Sequence, residues 1–416
     1  MIIALDWFIF KGNPFSLFSA TMVGFIYFYC LTPLIFPEKV LFVINENNLV
    51  PILLILISSI ICFAAGYHIF PKIRWRGFEK EINHPFIPSR TLWLAFIVVL
   101  GTLLILIAQS NSAGMNLIDY VSVSRYANAD VNVFRTDPES SLRYLSMIGD
   151  YIILTVLPLI VASAYMNPKK IILLGLLVLT SLFFGWVIYK TGGRIRMLMY
   201  CLSGLLTYYF LVRPSTKKII LFSCATVICL LLLTQFQYLD RKKIGGTSDL
   251  EMNFGLDIYS DQNVALSMIL EGIRSNRINY LYGESYALAA VQFIPRVIFP
   301  TKPGGEEMYA KLASVNYYGY WNVSYGIMGE MITNFGLWFF PIGMFLYGGI
   351  LKNIWQLFLR NQNSPIAVMS YAIAYGAIFF TVRGSFASSF STMFYSCLFL
   401  FAVTRLVVRR KHDLFY

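Results

Sequence analysis

Residues 50–70 read VPILLILISSIICFAAGYHIF, and no charged side chain interrupts them. A helix needs about 20 mostly apolar residues to cross a bilayer. The apolar positions here run continuously and do not alternate, so the stretch is predicted to cross as a helix, with its backbone satisfied internally. Similar runs occupy about 15–36, 91–110, 146–166, 170–189, 195–212, 218–238, 323–350, 366–382 and 386–407. They predict an all-α polytopic integral membrane protein with about ten transmembrane helices, residues 1–416 forming one membrane domain. The composition agrees: 57% hydrophobic and 13% charged, about half the charge of a soluble domain. Met1–Phe10 holds Asp6 and no small-residue cleavage site follows, so no removable signal peptide is expected.

Charge sorts the segments between the runs by side. With the C-terminal Arg409, Arg410 and Lys411 in the cytoplasm, the segments around 71–90, 167–170, 213–218 and 352–364 fall inside too. That side then holds 17 of the 33 Lys+Arg against four acids, and the outer side 16 basic against 17 acidic residues. The excess of basic residues inside is the signature of membrane orientation. It predicts both termini in the cytoplasm and accounts for the +12 net charge without a nucleic-acid partner.

Two long segments fall outside: a first outer loop, 111–144, and a large outer loop, 239–322. Loops of that length are usually functional or disordered. Within the second, residues 257–274 place Ile258, Ala265, Ile269 and Ile273 near helical spacing, and 284–294 is apolar enough for a helix in the interface plane. Tyr320 and Trp321 precede the next span, either as an aromatic belt or as a platform on which a sugar ring stacks. Residues 293–305 read FIPRVIFPTKPGG, a rigid kinked element whose Arg296 and Lys302 are placed for phosphates or lipid head groups. Arg194 follows Gly192-Gly193 between two spans, and Arg383 precedes Gly384 between the last two. Glycine lets a ligand approach the backbone, and a helix N-terminus favours an anion. An interfacial arginine that snorkels is the plainer alternative for both.

The chemistry is bounded by what is missing. The three histidines, His68, His84 and His412, all lie near the predicted cytoplasmic side. An outward Ser–His or Cys–His nucleophile, or a His-ligated metal, is therefore excluded. The six cysteines lie in predicted spans without a C-x-x-C pair, which points to packing and not to disulfides or metal. No P-loop is present. No cofactor or metal is called for. A general base on the outer face must be a carboxylate, with Glu330, Asp257 and Asp261 as candidates. Glu330 lies in SYGIMGEMITNFG near the expected outer end of its span; its alternative role is to pair with an arginine and hold the bundle.

In layout, and in Phe293-Ile294-Pro295-Arg296 followed by Pro300 and Lys302-Pro303, the chain resembles the bacterial oligosaccharide repeat-unit polymerases, the Wzy-type O-antigen and capsule polymerases. Gly193-Arg194 resembles their arginine after span five. Ser324 to Gly336, with Gly326, Gly329 and Gly336, resembles their Gly-rich helix after the large loop. The resemblance implies a GT-C-like glycosyltransferase of the bacterial inner membrane, its large periplasmic loop carrying short helices. It implies transfer of a growing glycan from undecaprenyl pyrophosphate to a hydroxyl of a new lipid-linked repeat unit. Arg194, Arg296, Arg383 and Lys302 would hold the pyrophosphate, and a carboxylate would take the acceptor proton. Partners would be undecaprenyl-pyrophosphate-linked oligosaccharides, membrane lipids, and a chain-length regulator and flippase of the same pathway. An O-antigen ligase, a lipid-linked-oligosaccharide flippase or exporter, and a structural or receptor membrane protein are the competing readings. The ligase is disfavoured by the absence of an outer histidine, and the flippase by sparse charge within the spans.

Overall fold

The structure, a computed structural model, describes residues 15–35, 46–74, 88–112, 115–122, 141–169, 171–215, 262–291, 325–384 and 386–405, with a few isolated positions between them. Among the described residues helices are the regular structure and no strand occurs. The helices are α1 (Leu17–Phe25), continued by a π-helical turn at Ile26–Leu31, α2 (Glu46–Ile69), α3 (Pro88–Ser112), α4 (Leu117–Ser122), α5 (Ser141–Met166), α6 (Ile171–Val212), α7 (Gln262–Arg274), α8 (Glu284–Val291), α9 (Gly326–Arg360), α10 (Pro365–Thr381) and α11 (Phe386–Thr404). The expected span at 218–238 and most of the first outer loop lie outside the described residues. Among the described residues, three helices, Glu46–Ile69, Arg90–Asn111 and Gly326–Arg360, are long and apolar enough to cross a membrane. The chain divides into two compact units, interleaved in sequence: Met1–Arg74, Gly255–Leu357 and Ala377–Ser391 form one, the remainder the other.

In the first unit α2 turns Ile52, Ile55, Ser59, Phe63 and Gly66 inward, while Leu53, Leu54, Ile57 and Ile61 are more than half exposed. An outer face this apolar fits a hydrocarbon solvent, and an all-α membrane protein accounts for it. Buried hydroxyls are satisfied within their own helices, Ser59 and Thr21 donating to the carbonyls four residues back. Helices α2 and α9 cross closely because both carry glycine at the contact. A Cβ on Gly66 would collide with the Phe345 carbonyl, and one on Gly348 with the Phe63 carbonyl.

Polar contacts mark both ends of α2. Near its start the Arg274 guanidinium donates to Asn48 Oδ1 at 2.7 Å, and Asn48 Nδ2 donates to Ser267 Oγ at 3.0 Å. At its far end Lys352 Nζ donates to the His68 and Phe70 carbonyls, 2.7 Å each, meeting the negative end of the helix. Asn48 and His68 are about 30 Å apart along the helix axis, the thickness of a bilayer core.

The expected single span at 323–350 is not one straight helix. Gly336 breaks it, with φ 78° and ψ 174°, a conformation that glycine adopts without a Cβ penalty. The two arms fold back: Met328 Sδ accepts from Ser59 Oγ at 3.1 Å, while Tyr347 packs on Phe63 with ring centroids 5.7 Å apart. Residues 328 and 347 would lie about 28 Å apart on an unbroken helix, yet both sit within one turn of α2. The arm Leu337–Arg360 remains long enough to cross. The arm Gly326–Phe335 descends only from Gly336 to the middle of α2. Glu330 therefore lies on the short arm, six residues before the break at Gly336.

Helix α7 is a second short element packed beside α2. Residues Gln262–Leu270 are all buried, and Asn263 Nδ2 donates to the Tyr29 carbonyl at 2.8 Å in the π-helical turn. Its other end, Arg274, lies at the start of α2. The starts of α7 and α9 meet: a Cβ on Gly326, whose φ is +63°, would stand 2.6 Å from Gln262 Oε1, the Tyr29 hydroxyl and the Val382 carbonyl.

In the second unit α5 packs against α3, with Ser163 Oγ donating to the Thr91 carbonyl at 3.2 Å. Helix α6 is assigned as one helical stretch, but Tyr200 Oη lies 2.8 Å from Ser181 Oγ. Those residues would be about 28 Å apart on a straight helix. The chain therefore doubles back within 186–196, the stretch holding the expected Gly192-Gly193 turn, and its arms correspond to the segments 170–189 and 195–212.

Candidate functional site

Glu330, on the first arm of α9, is 3% exposed. Its Oε1 accepts the Ser285 hydroxyl at 2.8 Å, and its Oε2 accepts the backbone N–H of Phe386, the first residue of α11. The first N–H groups of a helix have no partner within it and carry its positive end. A carboxylate supplies both the acceptor and the opposite charge. Asn334, one turn on from Glu330, donates to Ser285 Oγ at 2.9 Å and to the Glu330 carbonyl at 2.7 Å. Its Oδ1 accepts the Gly283 N–H at 3.0 Å. The Leu281 and Tyr282 N–H groups donate to the Thr333 and Asn334 carbonyls, both at 3.0 Å, capping the arm where Gly336 ends it. One polar network thus ties the segment 281–285, the first arm of α9 and the start of α11.

The turn before α11 carries Arg383, whose guanidinium carbon is 5.9 Å from the Phe28 ring centroid, within cation–π range. Its N–H and that of Gly384 both donate to the Phe380 carbonyl, at 3.1 and 2.7 Å. Glu330 therefore holds the chain three residues beyond Arg383. Next to Ser285, Tyr286 stacks on Phe335 at 5.7 Å and meets Phe386 edge-on at 5.4 Å. Its hydroxyl is buried without a hydrogen-bond partner. Burial, and then the charge of Glu330, push its pKa above the ordinary tyrosine value. The phenol stays neutral, a donor facing an aromatic enclosure.

Of the residues singled out in the sequence, Glu330 and Arg383 come together through the α11 turn. Arg194 lies in the stretch where α6 doubles back, in the other unit. Asp257, Asp261, Arg296, Lys302, Tyr320 and Trp321 lie outside the described residues. Sequence reasoning missed Ser285, Tyr286 and Asn334. Only Asn334 had a signal, its i, i+4 spacing from Glu330 on one helix face; the partnership of α8 with α9 is tertiary. In the second unit an apolar cleft of about 510 Å³ lies between α5 and the arms of α6, lined by Leu157, Val161, Val178, Leu182, Met197 and Tyr208 among others. Among the described residues no Asp, Glu, Lys or Arg lines it. Among the described residues no group of three or more His, Cys, Asp or Glu is placed to hold a metal.

The fold and site fit an all-α membrane protein with a polar node buried among its helices. No family model matches the chain, and no curated protein or solved structure matches it either.

Proposed function

We propose that the protein is a glycosyltransferase that polymerises lipid-linked oligosaccharide repeat units at the outer face of the bacterial inner membrane. It spans that membrane many times with both termini in the cytoplasm. The observation that supports the proposal is that the two described helices of the expected large outer loop pack among the apolar helices of the first unit. Helix α7 is buried beside α2, and helix α8 bonds Glu330 where the Arg383 turn begins α11. Such an arrangement favours chemistry on a lipid-linked substrate at the outer side. The assigned sides also fit the contacts: residues of the 71–90 and 352–364 segments meet, as Asn353 Oδ1 accepting the Ile73 N–H at 2.7 Å, and Arg274 of the outer loop meets Asn48 at the opposite end of α2.

In this reaction a hydroxyl of the incoming repeat unit attacks the reducing-end sugar carbon of the growing glycan. The bond from that carbon to undecaprenyl pyrophosphate breaks, and the pyrophosphate carries away the electron pair. The leaving group is already good, so positioning and charge stabilisation dominate. Arg383, with Arg296 and Lys302, supplies donors to the phosphate oxygens; arginine adds a bidentate fork. The acceptor proton passes to a carboxylate, Asp257 or Asp261, since both oxygens of Glu330 already accept hydrogen bonds from the protein. Tyr320 and Trp321 provide a stacking surface for sugar. The direct test is whether protein reconstituted in vesicles converts synthetic lipid-linked repeat units into a ladder of longer glycans.

A second reading, a lipid-linked-oligosaccharide exporter, draws on one observation. Helix α7 and the first arm of α9 are short, and their starts meet, as discontinuous helices do in transporters. Movement of a labelled lipid-linked oligosaccharide between leaflets, with no change in glycan length, would favour it.

A further inference from the structure

We infer that Glu330 is a positioning residue that acts through the Arg383 turn, and not the proton acceptor of the reaction. The inference deepens the glycosyltransferase reading and rests on it for its kinetic part only. Three observations lead to it. The carboxylate is 3% exposed, so an acceptor hydroxyl has no approach to it in this conformation. Each of its oxygens is engaged: Oε1 by Ser285, Oε2 by the Phe386 N–H. The Phe386 bond fixes the start of α11, and the turn between α10 and α11 is only the few residues that carry Arg383. Glu330 therefore links the outer-loop helix, through Ser285, to the start of α11, beside the ring contact of Tyr286 with Phe386.

A base and a clamp respond oppositely to conservative changes. Gln in place of Glu330 keeps an oxygen that accepts the Phe386 N–H, and its amide can satisfy Ser285. Asp keeps the charge but withdraws the carboxylate by one methylene and loses contact with the helix start. A clamp therefore tolerates Gln better than Asp. A general base loses about 10²–10⁴-fold in rate on becoming Gln.

The test has two readouts on purified full-length protein. The first needs no substrate: amide hydrogen exchange of the segment 383–388, compared with the rest of the chain. Glu330→Ala and Glu330→Asp are expected to speed exchange there by about tenfold or more, the loss of a charge-assisted hydrogen bond, and Glu330→Gln by less than about threefold. Unchanged exchange in Glu330→Asp overturns the inference, and this variant serves if Glu330→Ala fails to fold. The second is polymer formation. Glu330→Gln is expected to keep at least about a tenth of the wild-type rate, and Glu330→Asp combined with Arg383→Ala is expected to be no slower than Arg383→Ala alone, as for residues acting as one unit. A Gln variant as inactive as Ala with normal exchange, or rate losses that multiply in the double variant, would restore Glu330 as the base. If wild-type protein makes no polymer, the polymerase reading fails while the exchange result still decides the clamp.

Discussion

Replacing Gly326 with alanine puts the meeting of the starts of α7 and α9 under direct strain. Its φ is +63°, and a Cβ there would stand 2.6 Å from Gln262 Oε1, the Tyr29 hydroxyl and the Val382 carbonyl. The left-handed conformation costs an L-residue about 1–2 kcal/mol. Crowding a packed site adds about 1–3 kcal/mol, and here one of the three contacts is backbone, which moves least. The sum, about 2–5 kcal/mol, is a large share of the roughly 5–15 kcal/mol that holds a typical domain folded. The matched control is Gly101→Ala in α3, where nothing lies within 4 Å of the added Cβ. Removing a glycine from a helix interior there should stabilise by about 0.5–1 kcal/mol. Both variants and the wild type would be unfolded in the same detergent and followed by far-UV circular dichroism. A Gly326→Ala protein within about 1 kcal/mol of wild type would show that the starts of α7 and α9 do not meet as described.

Three further outcomes are expected. Gly348→Val should lower the unfolding midpoint strongly, because its side chain would run into the Phe63 carbonyl, whereas Trp338→Ala, at a residue 96% exposed, should stay within about 0.5 kcal/mol of wild type in detergent. Reporter fusions at Gly245 and at the C-terminus should give opposite signals, outside and inside; equal signals would contradict the charge-derived topology. Arg383→Lys should shorten the glycan chains made by cells at normal protein levels, because lysine lacks the planar fork, and full-length polymer would remove Arg383 from the phosphate contact.

The helical class was legible because lipid leaves the backbone few alternatives. The runs at 50–70 and 91–110 correspond closely to α2 and α3, and Ala265 and Ile269 of the anticipated loop helix are fully buried in α7. The fold-back of α9 was harder to read. Apolar periodicity continues through LWFFPIGMF without interruption, and only the backbone angles of Gly336 reveal the reversal. A glycine in a transmembrane run is more often a packing surface, as Gly66 and Gly348 are here. Glu330 stood out in the sequence as a carboxylate within an apolar run, a rare and expensive placement. Its partners did not: Ser285 and Phe386 are 45 and 56 residues away in the chain, and no local pattern encodes a helix start capped by a distant side chain.

The central claim is tested most directly by one reconstitution. Purified protein in vesicles would receive a synthetic polyprenyl-pyrophosphate-linked repeat unit with a fluorescent label on its sugar, without nucleotide. The account expects a ladder of labelled glycans growing by whole repeat units, with release of polyprenyl pyrophosphate in step with each bond formed. Label that stays at a single repeat unit, with no polyprenyl pyrophosphate released, would contradict it.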